Sequence, residues 1–209
     1  MYDGIHIKKN QMDNIMWTVP DPADGRKVIL IDLDNTMVSS TDGIVEWAKA
    51  RSDVEVDVES DKYHVGSWHP TLQLRQAFEE EEFFYNLKPY PDAIEAVKAL
   101  ARIHDVIICS APTSHLFKTS ADQKTRWIND FLPTLDGKPT RLILCDDKTL
   151  VRGDYLIDDS PHIEERGIYP NPIWQQVVFK QSYNISHALQ SNKAMIPNWK
   201  HVLDQINKN

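Results

Sequence analysis

The sequence V-I-L-I-D-L-D-N-T-M, from Val28 to Met37, decides how the rest of the chain can be interpreted. Four consecutive apolar residues predict a β-strand that is buried on both faces, and Asp32 and Asp34 follow at its carboxyl end. Side chains alternate along extended backbone, so these two carboxylates project the same way with roughly 7 Å of rise between them. Open α/β sheets bind their ligands at this end of the strands. The stretch therefore predicts a site in which both carboxylates face one metal and one substrate.

An isolated pair of aspartates at a strand end is also ordinary turn or helix-cap chemistry, so the rest of the chain has to decide between the two interpretations. Three further apolar runs end in polar groups, at Cys109-Ser110, Asp147-Lys148-Thr149 and Asp158-Asp159. Several buried strands that each deliver such a group to one sheet edge predict a shared chemical site. We therefore interpret the aspartates as functional residues.

Strand and helix patterns alternate along most of the chain, which predicts an α/β fold with a doubly wound, mostly parallel, Rossmann-like sheet and helices on both faces. The segment between the first strand and the first long helix is polar and has two helix-like stretches, so we expect a small helical cap at residues 39–82 and a catalytic core at residues 1–38 and 83–209. The predicted core elements after Pro91 are a helix, strands at 105–109, 140–145, 155–157 and 174–179, and helices at 121–131 and 197–206.

Composition narrows the class of protein. The chain has 209 residues and a formal net charge of -8, which argues against a protein that coats duplex nucleic acid. No apolar run approaches the length of a membrane span, so we expect no membrane partner. The two cysteines, Cys109 and Cys145, each end an apolar run and are expected to be buried strand thiols in a reducing compartment. The predicted location is cytoplasmic.

The order of these motifs resembles the haloacid-dehalogenase superfamily of phosphohydrolases, and within it the 5′(3′)-deoxyribonucleotidase family. The similar segments lie between about Val28 and Pro161 and read D-L-D-N-T, F-F-Y-N-L-K-P-Y-P-D-A-I-E-A-V, V-I-I-C-S-A-P, Q-K-T-R-W, D-K-T-L-V and L-I-D-D. The resemblance implies the haloacid-dehalogenase fold and Mg²⁺-dependent hydrolysis of (deoxy)nucleoside monophosphates through an aspartyl-phosphate. It also implies a small-molecule phosphate ester, a deoxynucleotide, as substrate, and it allows a homodimer.

The aspartates take separate roles in this chemistry. Asp32 would be the nucleophile that attacks phosphorus, and Asp34 would protonate the leaving alkoxide and later deprotonate the attacking water. Asp158 and Asp159 would complete an all-oxygen site for Mg²⁺ together with Asp32. In the family the residue at Asp34 also gives its backbone carbonyl to the metal. Which of Asp158 and Asp159 would bind the metal directly stays open.

Four residues are candidates for phosphate binding. Ser110 offers a hydroxyl, and Ala111 offers a backbone N–H where the relatives carry a hydroxyl residue. Lys124 and Lys148 both match family positions and both could balance the charge of the nucleophile and the transferring group. We favour Lys148 as the direct phosphate contact because it comes just after a strand.

The cap would decide the substrate. The resemblance places Trp68, His69 and Phe78 near the base and sugar, and a base stacked on such a ring would gain about 1 to 3 kcal/mol. Ser40 stands where these relatives have an aromatic residue, so base preference stays open. The histidines show no His/Cys spacing typical of zinc, and Mg²⁺ is the only metal that we expect.

Two other functions compete with a deoxyribonucleotidase. One is a haloacid-dehalogenase-type phosphatase acting on another small phosphate ester or on a polynucleotide 3′-phosphate, because small caps diverge and fold alone says little about substrate. The other is a binding protein that has kept the fold without the activity. That last hypothesis predicts the loss of a nucleophile or metal ligand, yet Asp32, Asp34 and Asp158 are all present.

Overall fold

The computed structural model describes residues 25–51, 72–160, 162–169, 171–202 and 206. Trp68 and His69 lie outside the described residues, as does the middle of the predicted cap. The division into a core and a cap at 39–82 therefore stays a prediction. In the part of the chain that is described, no helix combines the length and the apolar character needed to cross a membrane.

A six-stranded sheet forms the centre of the protein. Its strands are β1 (Val28–Ile31), β2 (Asp105–Ser110), β5 (Arg141–Leu144), β6 (Tyr155–Asp158), β7 (Gln175–Phe179) and β8 (Ala194–Ile196). They lie in the order β5-β2-β1-β6-β7-β8, with every neighbouring pair parallel. Thr134–Leu135 and Lys138–Pro139 form a separate antiparallel hairpin, β3 and β4. The predicted α/β fold with a mostly parallel sheet is confirmed.

Helices connect these strands, as parallel pairing requires. They are α1 (Ser40–Lys49), α2 (Leu72–Arg75), α3 (Ala93–Ile103), α4 (Phe117–Phe131), α5 (Ile163–Arg166) and α6 (Ile185–Gln190). Short 3₁₀ segments lie at Gln76–Glu79, Ser114–Leu116, Lys148–Leu150 and Trp199–His201.

Strand β1 is buried on both faces, as its apolar run predicts. Ile29 and Ile31 are fully buried in the larger hydrophobic cluster, which also contains Trp127 of α4. Leu30 points to the opposite face and belongs to a smaller cluster that includes Ile163 of α5. Side chains on both faces of this strand are buried in apolar clusters. A central strand therefore needs a continuous apolar run, and a run that alternates apolar and polar residues would not serve.

The backbone turns sharply just after β1, and this turn places Asp34. The amides of Met37 and Val38 both donate to the carbonyl of Leu33, at 2.9 Å each. Asn35 adopts a left-handed conformation with φ of 51°, which asparagine tolerates better than most residues. The chain then enters α1, whose N-cap is Ser39.

Several predicted boundaries differ from the structure. Helix α4 begins at Phe117 rather than at residue 121, because its first turn carries too few apolar residues to show helical spacing. Cys145 lies beyond β5 and is only half-buried, with its thiol donating to the Asp147 carbonyl. The segment from residue 197 starts with the 3₁₀ turn at Trp199–His201 instead of a regular helix. Both cysteines are free, and Cys109 is buried as expected.

Candidate active site

Three neighbouring strands bring their carboxyl ends together at the centre of the sheet. Asp32 follows β1, Ser110 ends β2 and Asp158 ends β6. Strand β1 lies between the other two, so this is the point where the strand order reverses, which is the usual ligand site of such sheets. The Lys148 Nζ donates to Asp32 Oδ1 and to Asp158 Oδ2, each at 2.5 Å. This ammonium group therefore bridges two of the converging carboxylates.

The segment that carries Lys148 fixes the position of its ammonium group. Lys148 begins a 3₁₀ turn whose N-cap is Asp147, and the Asp147 carboxylate accepts a hydrogen bond from the Thr149 amide at 3.0 Å. The Trp174 indole N–H donates to the Lys148 carbonyl at 3.1 Å. Lys148 is only 6% exposed. The turn thus presents a buried cation whose direction is set by its backbone contacts.

The side chain of Asp159 is held by polar groups from two distant segments. The Thr36 hydroxyl accepts a hydrogen bond from the Asp159 amide at 3.1 Å and lies 3.3 Å from Asp159 Oδ1. The Tyr183 hydroxyl donates to Asp159 Oδ2. Asn184 donates to the Asp159 carbonyl at 2.8 Å. These contacts orient a carboxylate that is itself buried.

A second lysine, Lys124 of α4, reaches the other side of the site. Its Nζ donates to Asp34 Oδ2 at 2.5 Å, to the Ala111 carbonyl at 2.5 Å and to the Ser110 hydroxyl at 3.2 Å. It also lies 5.1 Å from the centroid of the Phe84 ring, within the range of a cation–π contact. Lys124 is 1% exposed, so this lysine is part of the site and not of a solvated helix face.

The converging charges shift the pKa values of the buried groups. Burial raises the pKa of Asp32 to about 7; the Lys148 ammonium opposes this shift, whereas Asp158 and Asp34 add to it. Burial also raises the pKa of Asp159 well above its usual range, with further contributions from Asp158 and Asp32. Burial works to lower the pKa of Lys148, but the two carboxylates beside it outweigh burial and raise that pKa above its ordinary value.

The donor set fits a magnesium ion. Carboxylate oxygens of Asp32, Asp158 and Asp159 lie within 4.8 Å of one another, and all three residues are buried. Carboxylate and water oxygens are the ligands that Mg²⁺ prefers. Among the described residues, Oδ1 of Asp34 is buried and has no hydrogen-bond partner. The cluster has more carboxylates than ammonium groups, and one of these carboxylates has an unpaired oxygen. Such a cluster is chemically suitable for a divalent cation.

A cavity of about 410 Å³ opens above these groups. Its wall includes Phe78 and Phe84, whose rings stack with centroids 5.5 Å apart and planes 18° from parallel. Ser40 also lines the cavity. The size and the mixed apolar and charged lining suit a small organic phosphate.

The structure brings together most of the residues that the sequence predicts for the site. Asp32, Asp34, Asp158, Asp159 and Lys148 line the cavity, as do Ala111 and Phe78. Ser110 is fully buried, and its hydroxyl accepts a hydrogen bond from Lys124. The individual roles assigned to these residues stay predictions.

Several residues at the site were missed by the sequence reasoning. Tyr183 and Thr36 hold Asp159, and Gln181 donates to the Asn35 carbonyl at 2.7 Å, next to Asp34. Arg166 lines the cavity and donates to the Ser160 hydroxyl at 2.7 Å. Except for Thr36, which belongs to the D-L-D-N-T motif, these residues come from segments without a recognisable motif, and only the folded chain shows that they reach the strand ends.

Solved structures show which class of protein has this fold. A haloacid-dehalogenase-like hydrolase from Streptococcus pneumoniae gives a TM-score of 0.59 at 15% identity, over 87% of this chain and 98% of that chain. A hydrolase of this kind from Bacillus subtilis, solved with bound magnesium, gives a TM-score of 0.51 at 10% identity, over 87% of this chain and 99% of that chain. The chain therefore has the α/β fold of the haloacid-dehalogenase-like hydrolases.

Sequence comparison defines the family within that class. The sequence profile of the 5′ nucleotidase, deoxy (Pyrimidine), cytosolic type C protein family matches residues 26–209. The mitochondrial 5′(3′)-deoxyribonucleotidase of Homo sapiens is 31% identical over 205 residues, which cover 87% of this chain and 85% of that protein. The chain belongs to this family and is a phosphatase of the nucleotidase type, so the resemblance seen in its motifs is confirmed.

Proposed function

We propose that the protein is a Mg²⁺-dependent 5′(3′)-deoxyribonucleotidase that releases phosphate from (deoxy)nucleoside monophosphates through an aspartyl-phosphate on Asp32. The observation that carries this proposal is the pairing of each aspartate with its own lysine at the cavity floor. Asp32 is bonded to Lys148, and Asp34 is bonded to Lys124. Two carboxylates with separate partners can perform two different steps of one reaction.

In the first step the Asp32 carboxylate attacks phosphorus while the bond from phosphorus to the leaving oxygen breaks. Asp34 gives its proton to the leaving alkoxide, so a neutral nucleoside departs. Lys148, already 2.5 Å from Asp32 Oδ1, balances the negative charge gathered at the phosphoryl group. We retain Lys148 as the direct phosphate contact for this reason.

In the second step water attacks the phosphoryl group on Asp32, and Asp34 accepts the proton that this water loses. The bond between Asp32 and phosphorus breaks, and inorganic phosphate leaves with the original carboxylate restored. Lys124 Nζ donates to Asp34 Oδ2 and to the Ala111 carbonyl, so it holds the Asp34 side chain in place for both steps. This lysine therefore sets the direction in which Asp34 delivers and receives its proton.

Asp32, Asp158 and Asp159, with the backbone carbonyl of Asp34, are the groups that would hold Mg²⁺. When bound, the ion supplies a fixed positive charge that screens these carboxylates from the phosphate of the substrate. Without such a charge, the buried carboxylates would repel an anionic ligand. Ser110 and the Ala111 amide belong to the proposed phosphate site on the β2 side.

The aromatic residues on the cavity wall are the proposed contacts for the base. Phe78 and Phe84 present a stacked pair beside the carboxylates, and Trp68 and His69 are assigned to the same role on the resemblance alone. A cytoplasmic location is proposed as well, supported by the two free cysteines.

Phosphate release from a panel of substrates tests the proposal. The panel contains 5′- and 3′-deoxynucleoside monophosphates, ribonucleotides, sugar phosphates and a 3′-phosphorylated oligonucleotide, each assayed with Mg²⁺ and with EDTA. We expect deoxynucleotides to give the highest kcat/KM and EDTA to abolish all turnover. Preference for a sugar phosphate or the oligonucleotide would favour the alternative phosphatase, and full activity in EDTA would overturn the metal assignment.

A further inference from the structure

A second group of metal-binding side chains lies outside the proposed phosphate site. It consists of His162, just before α5, Glu165 in α5 and His187 in α6. The candidate ligand atoms of these three residues all lie within 4.8 Å of one another. They come from two elements that are separated by strand β7, so the group is assembled by the fold and not by a local sequence repeat.

The distances within this cluster are those of ligands that face a common point. His162 Nδ1 lies 2.9 Å from Glu165 Oε2, and His187 Nε2 lies 3.8 Å from Glu165 Oε1. The two imidazole rings have their centroids 4.0 Å apart and their planes at 62°. Ligands at zinc-to-ligand distances of about 2.0 to 2.2 Å in a tetrahedron are separated by about 3.3 to 3.6 Å, so small side-chain rotations suffice.

Exposure allows an ion to reach the cluster. The side chains of His162, Glu165 and His187 are 44%, 62% and 20% exposed. The Lys193 ammonium is a neighbouring cation that donates to Gln176 at 2.7 Å and pairs with Glu164 at 3.5 Å. A water molecule could supply the remaining ligand from solvent.

The chemistry of the donors selects a different metal from the one proposed at the phosphate site. Two imidazoles and one carboxylate suit zinc and other borderline transition metals, whereas Mg²⁺ prefers oxygen ligands throughout. We propose that His162, Glu165 and His187 form a second metal site that binds Zn²⁺ and ties α5 to α6. Since α5 also carries Arg166, which lines the cavity, the ion would fix one wall of that cavity.

The contact between Ser191 and His187 competes with the ion and gives the test a control. The Ser191 hydroxyl lies 3.1 Å from His187 Nε2, the nitrogen assigned to the metal, and it must rotate away when zinc binds. Ser191→Ala therefore removes a competitor and leaves the three ligands in place. His201→Ala removes an exposed histidine whose ring contacts Asn198 instead, so it matches the loss of one imidazole elsewhere.

Zinc binding to the full chain, measured by isothermal titration in saturating Mg²⁺, tests the site. We expect the parent to bind one Zn²⁺ and both His162→Ala and His187→Ala to lose at least tenfold in affinity, with Ser191→Ala and His201→Ala unchanged or tighter. Co²⁺ used in place of zinc should give the visible absorption of a four-coordinate site with nitrogen ligands, and this band should disappear in the same two variants.

Two results would overturn the proposal. One is a parent that binds no Zn²⁺ when Mg²⁺ is saturating, which would leave Glu165 as a hydrogen-bond acceptor for His162 and an ion-pair partner of His187. The other is zinc affinity that is equal in the parent and in both histidine variants, which would place the ion elsewhere. Both histidines are at least partly exposed, and circular dichroism confirms the fold of each variant; if one fails to fold, the other decides the test.

Discussion

Lys124 Nζ lies 2.5 Å from Asp34 Oδ2, although 90 positions separate the two residues along the chain. The lysine is almost completely buried, and it joins helix α4 to the loops that follow β1 and β2. Burying an ammonium group costs free energy unless an oppositely charged partner or a catalytic role accounts for it. We therefore expect Lys124 to matter to catalysis through the carboxylate that it holds.

Lys124→Met should lower kcat by about 100-fold or more, because Asp34 loses the cation that fixes its carboxylate. Removing one member of a buried ion pair should also cost about 3 kcal/mol of stability, so activity must be compared below the melting temperature of the variant. Lys118→Met, on the exposed side of the same helix, is the matched control. A Lys124→Met enzyme that keeps more than a tenth of its kcat would show that Asp34 does not depend on this lysine.

Asp32→Asn should abolish turnover while the fold stays intact, since the change removes the proposed nucleophile but almost no volume. Loss of a nucleophile removes several kcal/mol of transition-state stabilisation, so we expect less than about 1% of the parent activity. Phosphate release and circular dichroism measure the two properties. Asp136→Asn, in the exposed β3–β4 turn where asparagine also tolerates the left-handed backbone, should leave both unchanged. Substantial turnover by Asp32→Asn would argue against a covalent intermediate.

Phe78→Leu should raise KM for a deoxynucleotide by about tenfold, from a loss of about 1 to 3 kcal/mol of base stacking. Hydrolysis of p-nitrophenyl phosphate should change little, because that substrate shares the phosphate site but has no base. Phe131→Leu, which loses a ring stacked on Trp127, is the control. Equal losses on both substrates would assign Phe78 to packing against Phe83 and Phe84 instead. The same pair of assays applies to Trp68→Ala.

Cys109 should resist thiol reagents in the folded protein. Burial raises its pKa to about 12, with Lys148 opposing the shift, so at pH 8 the thiolate fraction is roughly a thousandfold below that of an ordinary cysteine. In Cys145→Ser, where Cys109 is the only thiol, labelling by iodoacetamide should be slow in buffer and fast in urea. In the folded variant the labelling rate should rise about tenfold for each pH unit below the pKa, because the thiolate fraction rises by that factor. Rapid labelling of the folded variant at pH 8 would contradict the burial of this thiol.

The sequence predicts the part of the site that depends on strand order. Asp32, Ser110 and Asp158 follow apolar runs, and parallel pairing then places their strands at one edge, so motif and topology agree. The sequence favoured Lys148 as the phosphate contact but could not settle the place of Lys124. A lysine near the start of a helix has the same sequence pattern whether its side chain faces solvent or a carboxylate. The structure places both at carboxylates.

Other parts of the site had no local signal at all. Tyr183 and Gln181 reach the strand ends from a segment that follows β7. Their contacts at the site depend on where β7 and β8 are added to the edge of the sheet. The His162–Glu165–His187 cluster is similar, since its members are separated by a whole strand. Such contacts follow from packing between distant segments and carry no periodicity that a single sequence could show.

The central place of β1 has a consequence for how the chain is made. Among the described strands this one leaves the ribosome first, yet Ile31 pairs with Ile108 on one side and with Ile157 on the other. At about 5 to 20 residues per second, β1 waits on the order of ten seconds for its second neighbour. During that time Ile29, Leu30 and Ile31, which are fully buried in the finished protein, cannot pair with strands on both sides. Strand β1, which Asp32 follows directly, is therefore exposed to mispairing during synthesis, and chaperones that shield nascent apolar strands should act on this segment.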